Sequence, residues 1–186
     1  MVFTAPPPLH SDRLIVRVVE ERDLPALLEI HAVDDVTRFL PYATWQTLAD
    51  AQAWYERAMR HHADGSALQF VVEATGSGVV VGTCLLFRFD SASARAEIGY
   101  VLGQRHWGCG YMREALASLL AFAFNELSLR RIEAEVDPRN AASDRLLRRL
   151  GFTHEGLLRQ RWVMKGEVKD ANVYGLLRHE WSSAPR

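Results

Sequence analysis

The chain has 186 residues, 48% hydrophobic and 24% charged, the balance of one soluble globular domain with a single core. Its 22 Lys and Arg against 23 Asp and Glu leave a formal net charge of −1, which argues against nucleic-acid binding by bulk electrostatics and makes any anion site a local feature. No apolar run approaches the roughly 20 residues that span a bilayer, and the 2 cysteines are too few for a disulfide framework and point to a reducing cytoplasm.

The opening "MVFTAPPPLHSDR" has no basic segment followed by an apolar run, so no leader is expected, and its prolines read as an extended start. "RLIVRVV" (13–19) alternates apolar and polar residues as a half-buried strand does. Asp23 and Pro25 open a helix bearing Leu27, Leu28, Ile30 and Ala32. "DDVTRFLPYATWQT" is interrupted by Pro41 and rich in aromatics. A second helix is predicted over 48–62, with Ala51, Trp54, Ala58 and Met59 on one stripe. The adjacent His61 and His62 fall on different helix faces, and none of the 7 histidines shows metal-ligand spacing, so no metal site is expected.

Two strands, 68–74 and 79–89, flank the hairpin turn "TGSG", and a third covers 96–102. The third helix starts near Tyr111, with Met112, Ala115, Leu116, Leu119, Leu120, Ala123 and Leu127 at helical spacing. "RRIEAEVD" returns as a strand, "RNAASDRLLRRLGF" is a short helix ended by Gly151, and "HEGLLRQRWVM" and "DANVYGLL" form a closing hairpin. The order β-α-α-β-β-β-α-β-α-β-β predicts an α/β fold with a mixed sheet of about seven strands and four helices, in one domain without linker or repeat.

"HWGCGYMREA" places Gly108 and Gly110 between a strand and a helix. Unpaired N–H groups and the positive end of the helix dipole suit a phosphate there, and glycines let the backbone approach it. A P-loop needs Lys-Ser or Lys-Thr after its second glycine, whereas Tyr111 and Met112 follow here. A dinucleotide fingerprint needs a third glycine where Arg113 stands. A coenzyme A site and a plain strand-to-helix turn remain open on these residues alone.

"AEIGYVLGQRHWGCGYMREAL", with "NAASDRLLRRLGF" downstream, resembles the GNAT N-acetyltransferases, most closely the RimJ/RimL-like branch that includes the ribosomal-protein alanine N-acetyltransferases. The residues that carry the resemblance are Gly99, Tyr100, Leu102, Trp107, Gly108, Gly110, Tyr111, Glu114 and Ala115, then Asn140, Ser143, Leu150, Gly151 and Phe152. The ending, with Asp170 and Trp181, resembles the final hairpin of that branch. The sequence departs from the branch at Met112, where the family usually has a small residue, and at Gly103-Gln104, where it often has proline.

The resemblance implies the GNAT acyl-coenzyme A fold, with a central splay in its sheet, and acetyl-coenzyme A as co-substrate. It implies a phosphate loop of Trp107, Gly108, Cys109, Gly110, Tyr111 and Met112, with Val101 and Leu102 offering backbone groups to the pantetheine and Asn140 touching it. The implied chemistry is direct acetyl transfer to a primary amine, either an N-terminal α-amine of a protein or a small-molecule amine. Glu97 is the candidate general base and Glu73 its runner-up; Ser143 is the candidate acid near the sulfur. Glu97 could equally be an exposed charge at a strand end, and Asn140 and Ser143 could simply cap a helix. Phe39, Tyr42 and Trp45 are candidates to line the acceptor pocket, among aromatics that mostly serve the core. Cys109 lacks an apparent partner base, which disfavours an acyl-cysteine route. Arg145, Arg148 and Arg149 read first as a solvated helix face, with contact to the adenosine 3′-phosphate as the alternative. A cytoplasmic location and a homodimer are expected, with no nucleic-acid or membrane partner. The alternative function is a non-catalytic acyl-coenzyme A-binding regulatory module.

Overall fold

The computed structural model describes residues 6–181; the first five positions of the opening segment, read above for a leader, lie outside the described residues. The described chain builds one eight-stranded sheet in the order β1-β2-β3-β4-β5-β6-β8-β7. Its strands are β1 (Leu9–His10), β2 (Leu14–Val18), β3 (Ala67–Ala74), β4 (Val79–Asp90), β5 (Arg95–Leu102), β6 (Arg131–Val136), β7 (Thr153–Met164) and β8 (Glu167–Leu177). The helices are α1 (Leu24–His31), α2 (Asp34–Thr37), α3 (Leu48–Asp64), α4 (Tyr111–Asn125) and α5 (Ala141–Arg149). The expected elements are present, joined by a short strand, a single α-helical turn and 3-10 turns at Glu21–Asp23 and Gln104–His106. β1 pairs Leu9 with Val16 and His10 with Ile15, but two residues are too few to show an alternation. The single turn of α2 lies within the proline-interrupted segment.

The local signals act as the residue types dictate. Thr47 and Asp50 form a reciprocal capping box at the start of α3, and Gly65 closes that helix in the left-handed conformation at φ 73°. The sheet buries a core on each face. On one face α4 packs Met112, Ala115, Leu116, Leu119, Leu120 and Phe124 against strand residues such as Phe70, Leu86, Ile98 and Ile132. On the other, Leu24, Leu27 and Ile30 of α1 and Trp54 of α3 meet Val71, Val80 and Val101. Each fully buried Leu of this kind contributes about 1.5–3 kcal/mol of transfer free energy.

Two features of the sheet position the site. First, β5 and β6 are its one parallel pair, joined by the α4 crossover, and they pair only at Arg95–Arg131, Ala96–Ile132 and Glu97–Glu133. Beyond Glu97 and Glu133 they separate: β5 continues along β4 as far as Leu102, while β6 continues along β8 as far as Val136. Second, the β7–β8 hairpin is bent. Its register breaks between Leu158 and Trp162, Gln160 adopts φ 51°, and the Asp170 carboxylate accepts the Gln160 N–H at 2.7 Å. The bend brings the Trp162 ring within 4.8 Å of the Arg88 guanidinium of β4, although β5, β6 and β8 intervene in the sheet order. The Lys165 ammonium at the hairpin tip donates to the Thr37 carbonyl at 2.8 Å. The hairpin therefore arches over the opening between β5 and β6.

Candidate active site

Gly108 (φ 76°) and Gly110 (φ 79°) both lie in the left-handed region, so the loop between β5 and α4 takes a path that side-chain-bearing residues resist. Gly110 is the N-cap of α4, and no side chain caps that end. The first N–H groups of α4 are thus left for another acceptor. Met112 does not crowd them: its side chain is 5% exposed and points into the core beneath α4. Cys109 is exposed, and its thiol donates weakly to the Trp107 carbonyl at 3.6 Å.

The loop is braced from the other end of the chain. The Arg13 guanidinium donates to the Cys109 carbonyl at 3.2 Å, pairs with Glu114 at 2.7 Å and lies 4.7 Å from the Tyr111 ring centre. Glu114 also accepts the Arg13 N–H and the Ser11 hydroxyl, each at 2.8 Å. Its carboxyl is held below the ordinary range: these hydrogen bonds and the Arg13 charge outweigh the opposing effect of burial. The negative charge nearest the loop is therefore already neutralised.

The open edge of β5 follows from strand alternation. The Gly103 N–H donates to the Val81 carbonyl at 2.9 Å, and the Val101 carbonyl lies against Gly82 of β4. Odd-numbered positions thus turn their peptide groups toward β4, and Tyr100 and Leu102 turn theirs toward the gap. The Leu102 carbonyl accepts the Trp107 indole N–H at 2.8 Å. Sequence reading placed the open backbone groups on Val101 and Leu102; the register moves that pair to Tyr100 and Leu102.

Glu97 sits where β5 and β6 part, on the sheet face opposite Ile98 and Tyr100. It is buried, at 8% exposure, not an exposed strand end. Burial pushes its carboxyl above the usual range, the Arg88 guanidinium at 2.7 Å pulls it down, and Glu135 and Glu133 push it up again. Glu135 accepts from Arg161 at 3.1 and 2.9 Å and from the Trp162 indole at 2.8 Å, so its lone pairs are largely engaged. Glu73 lies two strands away on β3, ion-paired with Arg17 at 2.8 Å, and Arg17 also holds Asp23. That network leaves Glu73 outside the opening.

On the other face, the Asn140 carboxamide caps α5 by accepting the Ser143 N–H at 3.2 Å. Ser143 itself stands beside the Tyr100 hydroxyl, whose atom is buried. Burial pushes that phenol up to about 12. Tyr174 donates to Asp144 at 2.5 Å, and Asp144 pairs with Arg148 at 2.9 Å, while Arg145 and Arg149 are exposed.

The aromatic candidates divide. Trp45 is buried and stacks on His31 with ring centres 4.2 Å apart, which makes it part of the core. The Tyr42 hydroxyl lies 3.3 Å from His31 Nδ1, and Phe39 is half-buried beneath Arg38. Among the described residues no cluster of three or more His, Cys, Asp or Glu is arranged to hold a metal, and no helix is long and apolar enough to cross a membrane.

Residues 13–153 match the acetyltransferase (GNAT) domain. The chain belongs to the GNAT acetyltransferase family. It is similar to an uncharacterized N-acetyltransferase, p20, of Bacillus licheniformis, at 34% identity over 94% of this chain and 98% of the relative. It is also similar to the [ribosomal protein uS5]-alanine N-acetyltransferase of Escherichia coli, at 28% identity over 94% of this chain and 92% of the relative. The crystal structure of a GNAT-family acetyltransferase from Bacillus anthracis superposes with a TM-score of 0.83 at 26% identity, covering 92% of this chain and 99% of that one. This GNAT protein is an acetyl-coenzyme A-dependent N-acetyltransferase with ribosomal-protein alanine N-acetyltransferases among its relatives.

Sequence reading missed Arg88, Glu135, Arg161 and Trp162. Trp162 and Glu135 meet across 27 positions of sequence, and Arg88 meets Glu97 only because a β-bulge lies between Phe87 and Asp90. The one signal available was the run of alternating glutamates in "RIEAEV".

Proposed function

We propose that this GNAT enzyme acetylates the α-amine of a protein or peptide N-terminus by direct attack in a ternary complex. The observation that carries the reading is the buried Glu97 carboxylate at the splay, with the uncapped α4 N-terminus and the open edge of β5 beside it. The residues fit the co-substrate. The N–H groups of 108–112 would hold the pyrophosphate, Tyr100 and Leu102 the pantetheine amides, and Asn140 and Ser143 the region beside the sulfur. Bound there, acetyl-coenzyme A supplies an acyl carbon activated as a thioester.

The chain's own groups then divide the proton work. As the amine nitrogen bonds to the acyl carbon and the carbon–sulfur bond breaks, Glu97 takes the proton leaving the amine, directly or through one water. Its burial makes it a better base than a solvated glutamate. We assign Ser143 and Tyr100, on the opposite face, to return a proton to the departing thiolate. An α-amine, with a reference pKa of about 8 against about 10.4 for lysine, needs only such a modest base. The uS5-alanine N-acetyltransferase among the relatives supports the α-amine class. We take Phe39 and Tyr42 as lining the acceptor side, in a cytoplasmic enzyme of one domain that self-associates as a homodimer.

The test is acetyl-coenzyme A with a panel of N-terminal peptides and small amines, scored by thiol release. Glu97→Gln lowers kcat by roughly 10²-fold or more without weakening coenzyme A binding by calorimetry. Full activity in Glu97→Gln, or no transfer to any peptide N-terminus, refutes the reading.

A further inference from the structure

Arg88 occupies an unusual place. It is a non-glycine residue at φ 51° in the β4 bulge, a backbone conformation that persists where surrounding contacts enforce it. The bulge turns its side chain toward Glu97, where it is held on several sides. The guanidinium donates to Glu97 Oε2 at 2.7 Å, lies 3.8 Å from Glu135 Oε1, and has the Phe87 and Trp162 rings at 5.5 and 4.8 Å. Trp162 is in turn fixed by its indole N–H on Glu135 and by Arg161, whose guanidinium lies 4.9 Å from the same ring.

We infer that Arg88 is a positioning residue for Glu97, an arginine locked by the arched hairpin that keeps the buried carboxylate ionised and aimed into the splay. This rests on the reading of Glu97 as general base. Arg88 supplies what that reading leaves unexplained. The charged groups facing Glu97 are Arg88 from β4, Glu133 and Glu135 from β6 and Arg161 from β7. The two glutamates repel a second negative charge, and Arg161 is engaged bidentately by Glu135. Arg88 is the cation in direct contact with Glu97, and it bridges to Glu135 as well. The hairpin thereby acts on the base through one ring: Trp162 stacks on Arg88, and Arg88 grips Glu97. A guanidinium suits the post because it stays charged and stacks on an aromatic face while pairing with a carboxylate.

The experiment uses the whole protein labelled with ¹³Cδ-glutamate, the Glu97 resonance being the one lost in Glu97→Gln. Arg88→Met and Arg88→Lys keep a side chain on the same left-handed backbone, so the backbone strain is held constant. Arg88→Met raises the Glu97 titration midpoint by about one pH unit, and Arg88→Lys returns it toward wild type. The acid limb of kcat/KM, measured with acetyl-coenzyme A and the best acceptor of the peptide panel, moves by the same amount. A Glu97 midpoint unchanged in Arg88→Met overturns the role of Arg88. A midpoint that moves while the acid limb stays fixed overturns Glu97 as the base, and the catalytic meaning of Arg88 with it. Should Arg88→Met fail to fold, the Lys variant still decides: loss of stacking without loss of charge leaves its midpoint within a few tenths of wild type, and a full-unit rise refutes the electrostatic role.

Discussion

Replacing Gly82 with alanine tests the claim that the open edge of β5 binds the co-substrate. A Cβ at Gly82 would lie 2.3 Å from the Val101 carbonyl oxygen and 3.2 Å from the Leu102 Cα. Ordinary contact begins at 3.4 Å, so the carbonyl must retreat by about 1 Å, and it is backbone in a paired strand, not the end of a flexible side chain. Overpacking of this kind costs about 1–3 kcal/mol. Alanine loses less backbone freedom than glycine on folding, which offsets about 0.4–1 kcal/mol. The net loss centres on about 1.3 kcal/mol, a fall in Tm of about 3–5 °C for a chain of this size. Because the displaced rung is Val101–Leu102, the neighbouring amides that face the gap shift too, and losing one hydrogen bond of about 1 kcal/mol weakens coenzyme A about fivefold. Circular dichroism gives the Tm and titration calorimetry the Kd. A Gly82→Ala protein that melts early yet binds coenzyme A at wild-type affinity refutes the assignment of that edge; wild-type values for both refute the packing argument.

Other outcomes follow from the same geometry. Gly108→Ala has open space for its Cβ but must adopt φ 76°, so a strain of about 1–2 kcal/mol lowers Tm by a few degrees, measurable by scanning fluorimetry. Arg13→Met releases the phosphate loop, weakening coenzyme A several-fold while leaving acetyl-pantetheine, which lacks the pyrophosphate, unaffected; equal losses for both ligands contradict the bracing role. His31 is fully buried, and burial lowers its imidazole to about 4 from an ordinary 6.5. The unfolded chain therefore binds the extra proton first. The stability gained by keeping His31 neutral is complete above pH 6.5 and declines as the pH falls toward 4, by about 2 kcal/mol at pH 5. Denaturant unfolding of His31→Phe, which keeps a ring against Trp45, shows a correspondingly shallower loss between pH 8 and 5; an identical slope in both proteins contradicts the burial argument.

The sequence by itself determined the element order, the loop glycines and most of the core. These depend on local spacing: the 3.6-residue stripe of α4, the alternation of β2 and β6, and the need for glycine at two left-handed positions. It also singled out Glu97 as a candidate base beside Glu73, because a carboxylate near a splay is a one-residue signal once the family resemblance is seen. Tertiary structure alone decided which carboxylate stands in the opening. Glu73 and Glu97 look alike in the sequence, yet one lies in an ion network with Arg17 and Asp23 and the other at the β5–β6 junction. It also set the parity of the open peptide groups, since a register of pairing is a relation between strands and a shift of one residue exchanges every donor. The charged cluster around Glu97 joins four strands, one of them outermost in the sheet, and it exists because a bulge turns Arg88 and a bend carries Trp162 back over the gap. Such meetings depend on chain direction in space, which no stretch of neighbouring residues encodes.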